Sequence, residues 1–184
     1  MAETPAELAE LFGRADSIGN PQLSPDGSHL AAECSPLNLH TICVFDLMNG
    51  GDAVILPKMA DVRLVDHYWA NNETLILDIE AFENLQVSSG REDYTFERAV
   101  AFNIKDPKPV MLLRDNRAWV DTNDLAAIVP SKDDRVLFAL VTREEDQGNA
   151  GRAIQLAPKF VYNLMDVNLA TGRSKIKKKA TQNV

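Results

Sequence analysis

The 184 residues carry a formal charge of −8 and are 45% hydrophobic and 25% charged, a balance that fits one globular domain or a piece of a larger one and excludes a disordered tail. An acidic chain lacks the Lys/Arg-rich face that phosphate neutralisation needs, so no nucleic-acid partner is expected, RSKIKKK at 173–179 being a local exception. No apolar run approaches the roughly 18 residues of a membrane helix, and MAETPAELAE has neither the basic nor the apolar region of a signal peptide, so no membrane association is expected.

In chain order, PAELAELFGRADSI sets Leu8, Leu11 and Phe12 at helical spacing behind a candidate N-cap, Thr4, with Pro5 at the first helical position. A short helix is predicted within a lead-in over residues 1–19. If Met1 is the native start, the expected location is the cytoplasm. If it replaces a removed signal peptide, AETPAELAE is a mature periplasmic or secreted N-terminus.

SPDG at 24–27 follows. Proline at the second turn position presets φ, Asp26 tolerates the bridge region and Gly27 can take a positive φ, so a tight strand-to-strand turn is predicted. HLAAEC (29–34) and TICVFDL (41–47) read as strands around the loop SPLNLH, and MNGG (48–51) turns into AVIL (53–56). Cys34 and Cys43 are too few for a disulfide scaffold or a four-ligand zinc site. They read as buried free thiols, with a bridge between them as the alternative because both fall in one predicted hairpin.

The same order of features returns twice. HYWANNETLILDI (67–79) has its turn at Asn71 and Asn72; after a long loop come RAVAFNI (98–104), the turn KDPK (105–108) and PVMLL (109–113). AAIVPSKDDRVLFALV (126–141) has Asp133 and Asp134 in its turn, and its loop leads to KFVYNLMDVNL (159–169), ATG (170–172) and RSKIKKK. Asn and Asp are expected to replace glycine at these turns through their tolerance of the left-handed region. Strand interiors such as TLILDI and RVLFALV are nearly continuously apolar, as in sheets covered on both faces.

Four short strands per unit, with tight turns before the second and fourth, is the plan of a β-propeller blade. The predicted fold is therefore all-β: about three four-stranded antiparallel blades of an incomplete propeller, at 20–57, 62–114 and 120–179, followed by a tail at 180–184. A sandwich of similar hairpins is the competing architecture. Three blades are fewer than ring closure needs, so the chain is expected to be either a fragment of a longer protein or a homo-oligomer that covers its exposed blade faces.

The ordered series LFGRADSIGNPQLSPDGSHLAAE, ICVFDLMNG, VDHYWANNETLILDI, IVPSKDDRVLFAL and VYNLMDVNLATGRSK resembles the start of the propeller domain of prolyl-oligopeptidase-family serine peptidases, above all dipeptidyl-peptidase-like and acylaminoacyl-peptidase-like members. The resemblance runs from about residue 11 to about residue 178. SPDG alone also marks TolB-like propellers. The resemblance implies a substrate-gating propeller for short peptides and a partner α/β-hydrolase domain that holds the catalytic serine. This chain departs from the family in having no G-x-S-x-G. SSG at 88–90 lacks the leading glycine, and His29, His40 and His67 all fall in strands or loops that the repeat explains. No catalytic residue is expected, and the chain alone should be inert. The alternative is a non-catalytic TolB-like propeller fragment that serves as a protein-interaction scaffold.

One substrate-binding candidate remains. Dipeptidyl-peptidase members grip a peptide's ammonium group with paired glutamates, and Glu144 and Glu145 of REED form such a pair, though in the polar loop TREEDQGNAGR. Arg173, Lys175, Lys177, Lys178 and Lys179 are read as an edge strand blunted by charge. Trp69, Trp119, Phe45, Phe102, Phe138 and Phe160 are read as core. No metal-ligand spacing, phosphate loop or dinucleotide fingerprint appears, so neither metal nor cofactor is implied.

Overall fold

The computed structural model describes residues 18–35, 40–57, 59, 62–87, 90–114, 123–128, 134–144 and 159–179. The helix predicted in the lead-in lies outside them. Every regular element among the described residues is a strand, and the strands form three antiparallel sheets. The first contains β1 (Ile18–Leu23), β2 (His29–Cys34), β3 (Thr41–Asp46) and β4 (Val54–Ile55). The second contains β5 (Val62–Trp69), β6 (Thr74–Val87), β7 (Gly90–Asn103) and β8 (Asp106–Met111). The third contains β9 (Asn123–Ile128), β10 (Arg135–Glu144), β11 (Lys159–Asn168) and β12 (Ser174–Lys179). Each sheet is an open meander whose strands lie side by side in chain order, and none closes into a barrel. The first sheet belongs to one compact unit, residues 1–58, and the other two to a second, residues 59–184.

The sequence repeat corresponds to a repeat of backbone bonds. At the turn before each second strand, the amide of Leu47, Ile104 or Leu169, just past the third strand, donates to the carbonyl of Ser28, Glu73 or Asp134, just before the second, at 2.8–2.9 Å. This bond fixes the register that follows: His29 faces Asp46, Thr74 faces Asn103 and Arg135 faces Asn168. The third strands all end in a side chain that caps the next turn. Asp46 Oδ1 accepts from the Met48 and Asn49 amides, Asn103 Oδ1 from Lys105 and Asn168 Oδ1 from Thr171. An Asx acceptor satisfies turn amides that a sheet cannot, which is why Asp or Asn stands there.

The SPDG turn closes as expected, with the Gly27 amide on the Ser24 carbonyl at 2.9 Å and Gly27 at φ +72°. Asn71 and Asn72 do not take the left-handed conformation expected of them. Asn71 acts through its side chain, Oδ1 accepting from the Glu73 amide at 2.9 Å. The non-glycine residues with positive φ, among those described, are Asn20 and Leu113.

Within the second unit, one face of the second sheet packs on one face of the third. Ile76, Ala99 and Ala101 from β6 and β7 meet Val136, Phe138 and Leu140 of β10 and Met165 and Val167 of β11. The intervening residues Leu75, Leu77, Val100 and Phe102 are buried as well, so over 75–77 and 99–102 these strands are apolar at every position rather than every second one. Trp69, Phe102 and Phe138 are core residues and Phe45 is half-buried, whereas the side chains of Trp119 and Phe160 lie outside the described set. β12 is an edge strand with Lys175, Lys177, Lys178 and Lys179 exposed, so charge blunts an edge that could otherwise recruit another strand.

Two expectations fail. The long loop expected after TLILDI is absent: β6 and β7 remain paired without a break from Thr74↔Asn103 out to Val87↔Gly90. β5 accompanies β6 only as far as Ala81, and β8 pairs with β7 only from Val100 onward, so the distal half of this hairpin is a two-stranded ribbon. Arg98 lies over the Phe96 ring at 4.9 Å at the base of this arm, opposite Ile79 and Ala81 where β5 still flanks β6, a cation–π contact along β7. The reading of Cys34 and Cys43 as free thiols is likewise overturned, because the two are joined in a disulfide with Cα atoms 5.8 Å apart. Cys34 faces Thr41 and Ala32 faces Cys43, so the bond crosses the ladder diagonally.

Candidate functional site

Glu144 is the last residue of β10, opposite Lys159 in the ladder, so its backbone belongs to a strand rather than to the expected loop. Glu145 lies outside the described residues.

Three polar constellations not anticipated as sites are visible. The first, in the SPDG turn, contains the residue types of a serine-hydrolase triad. Asp26 Oδ1 accepts from the hydroxyls of Ser24 and Ser28, both at 2.7 Å, and from the Ser28 amide at 3.0 Å. Ser28 Oγ also lies 2.7 Å from His29 Nδ1. Protons decide the assignment. A hydroxyl has one proton, and Ser28 donates it to Asp26, so the Ser28–His29 bond must use the Nδ1–H of histidine as donor. His29 therefore cannot act as general base toward Ser28. In a catalytic triad the carboxylate orients the imidazole, whereas here it holds the serine. Ser24 is buried, and its Oγ accepts from the His29 amide at 2.9 Å, so this hydroxyl is committed to the turn as well. The network is a turn lock.

That lock titrates. Hydrogen bonds from the Ser28 amide, then from the Ser28 and Ser24 hydroxyls, pull the exposed Asp26 carboxyl from 3.8 down to about 2. Asp46 is lowered for the same reason, first by the Asn49 side chain and amide and then by the Met48 amide. A depressed carboxyl pKa stabilises the fold fully above its unfolded value and loses that contribution as pH falls through the folded one. The first unit is expected to lose turn protection between about pH 4 and about pH 2, and hydrogen exchange at the Ser28 and Met48 amides checks it. Asp26→Asn should abolish the Ser28 part of the transition, and an unchanged profile in that variant would contradict the assignment.

The second constellation is on β5. Tyr68 donates its hydroxyl to Asp66 Oδ2 at 2.9 Å, and burial, this bond and the charges of Asp66 and Asp78 push its pKa up to about 12. A phenol so held stays protonated at neutral pH and serves as a fixed donor, not a base. His67, between them in sequence, is fully buried and faces Leu77 across the ladder.

The third lies on β10 and β11. Arg135 Nε donates to Asp166 Oδ1, its NH2 donates to the Asp166 carbonyl at 3.2 Å, and Lys175 Nζ stands 3.9 Å from Asp166 Oδ2. Asp166 is only 3% exposed, and these cations offset the cost of burying a carboxylate. His40 and Glu33 form a separate, exposed pair at 3.0 Å. Among the described residues, no three His, Cys, Asp or Glu gather as metal ligands.

No protein-family model matches the chain. No curated protein matches it either. Function must therefore be argued from the repeat and from these constellations, each of which is chemically committed to holding structure. Arg135 and Asp166 escaped the sequence reading because they are 31 positions apart, and only the β10–β11 register places them on one face. An Asp amid the apolar run NLMDVNL was the available signal, since an unpaired carboxylate there would be prohibitive.

Proposed function

We propose that the chain is a non-catalytic, substrate-gating propeller segment of a prolyl-oligopeptidase-like serine peptidase that cleaves short peptides, with chemistry supplied by an α/β-hydrolase domain that this chain does not contain. The observation that carries the proposal is the threefold recurrence of one meander with the same turn bonds, which is how blades are built. A second feature agrees with it. Leu137, Ala139 and Leu164 occupy the register positions of Ile76, Asp78 and Ala99, the face of the second sheet on which the third packs, yet they remain half-buried. A stack of blades continued by one more would cover them.

In such an enzyme the propeller excludes folded proteins by the width of its channel while the hydrolase domain cleaves what passes. The 184-residue chain is expected to leave a chromogenic dipeptide substrate uncleaved. Read past the codon for Val184, the gene is expected to continue in frame through further four-strand repeats to a G-x-S-x-G elbow. Serine-inhibitor-sensitive turnover at the intact mass of this chain would overturn the assignment of an inert segment. Further repeats ending in a stop, with no elbow, would replace the peptidase reading with a TolB-like interaction scaffold.

A further inference from the structure

The register that aligns the three sheets sets Cys34 and Cys43 against Ile79 and Val100 in the second sheet and Leu140 and Met165 in the third. All four of those residues are buried and apolar, and each pair spans its ladder on the same diagonal. The disulfide thus stands where the other sheets use a hydrophobic contact. The neighbouring positions point the same way. Ala31 and Ala32 correspond to Ile76 and Leu77 in the second sheet and to Leu137 and Phe138 in the third, so the first sheet has far less side chain to bury at its centre. Its edges are also weak: β4 contributes only two ladder pairs, and the β1–β2 register is interrupted between Gly19 and Gln22. A small sheet short of core is where a covalent staple adds most.

We propose that the Cys34–Cys43 bond is a redox lock on the first unit: oxidised, the β2–β3 ladder is held; reduced, it opens while the second unit remains folded. The step is thiol–disulfide exchange. A thiolate of a dithiol reductant attacks one sulfur, breaking the Cys34–Cys43 bond, forming a mixed disulfide with that cysteine and expelling the other as a thiolate; the reductant's second thiolate then attacks the mixed disulfide and releases the first cysteine. Two electrons and two protons pass to the chain, giving two thiols, and the reductant becomes a disulfide. Both cysteines are only 6% exposed, so the attack follows local opening and the lock resists reduction while the ladder is closed. Such a bond persists in an oxidising compartment, and there the first unit would be fully folded.

The test is hydrogen exchange of the full chain with and without dithiothreitol. Closing a loop of nine-residue separation constrains the open state enough that reduction should speed exchange at β2 and β3 amides on the order of 50- to 100-fold, with β6, β7, β10 and β11 unchanged. Equal protection of β2 and β3 in both states would overturn the proposal. So would alkylation of two thiols in denatured, unreduced protein, since that would mean the bond is absent. Cys34→Ile with Cys43→Val, which copies the second sheet's pair, should keep the ladder protected and make it indifferent to dithiothreitol. The double alanine variant should show the fast exchange without any reductant, and slow exchange in it would count against a lock.

Discussion

Gly172→Ala is expected to destabilise the second unit by about 3–5 kcal/mol, whereas Gly50→Ala, at the equivalent place in the first unit, should cost only about 1–2 kcal/mol. The two glycines terminate the same motif. Each donates its amide to the carbonyl four residues earlier, Asn168 or Asp46, and each has φ +68°. The strain of a left-handed alanine is therefore common to both. What differs is the space. A Cβ on Gly50 would meet nothing within 4 Å, but one on Gly172 would intrude on the Met111 carbonyl oxygen, with the carbonyl carbon at 3.0 Å and Val110 Cγ1 at 3.5 Å. Main chain at the end of β8 cannot swing away as a side chain can, so the turn after β11 must shift from the second sheet. Denaturant unfolding of both variants, read by hydrogen exchange in each unit, checks the contrast. Equal costs would mean that backbone strain, rather than the close approach of the two sheets, sets the requirement for glycine.

The meander was legible because its punctuation is chemical. SPDG, MNGG and ATG each contain a glycine that takes positive φ and lie at or just after a residue that accepts turn amides, Asp26, Asp46 or Asn168, and β2 follows the first of them at the residue where it was expected. Register was not legible, and most misreadings follow from that. Cys34 and Cys43 become partners only once Cys34 is known to face Thr41, and a six-residue loop allows more than one alignment. The long pairing of β6 with β7 was hidden because AFENLQVSSGREDYTFE mixes charged, polar and aromatic residues around SSG, a composition that reads as a loop. For the candidate site the sequence offered only the adjacency of Glu144 and Glu145, of which Glu144 ends a strand and Glu145 lies outside the described residues.

The charge on Asp166 gives the second large effect. Position 166 corresponds to Val44 in the first sheet and Ala101 in the second, both apolar and buried, so the third sheet alone places a carboxylate on this diagonal. Arg135, which holds it from β10, corresponds to His29 and Thr74. The pair is thus an addition to a scaffold that works elsewhere without it. Removing only the cation by Arg135→Met keeps the aliphatic stem and strands a carboxylate that is 3% exposed; the expected cost is about 3–5 kcal/mol, toward the lower end because Lys175 remains 3.9 Å away. Removing the anion as well, by Arg135→Met with Asp166→Val, should restore most of that loss, since burying two apolar groups demands no desolvation of charge. Denaturant midpoints of the single and double variants supply the comparison. If the double variant is no more stable than Arg135→Met, then the guanidinium's bond to the Asp166 carbonyl, not its neutralisation of the carboxylate, is what the third sheet depends on.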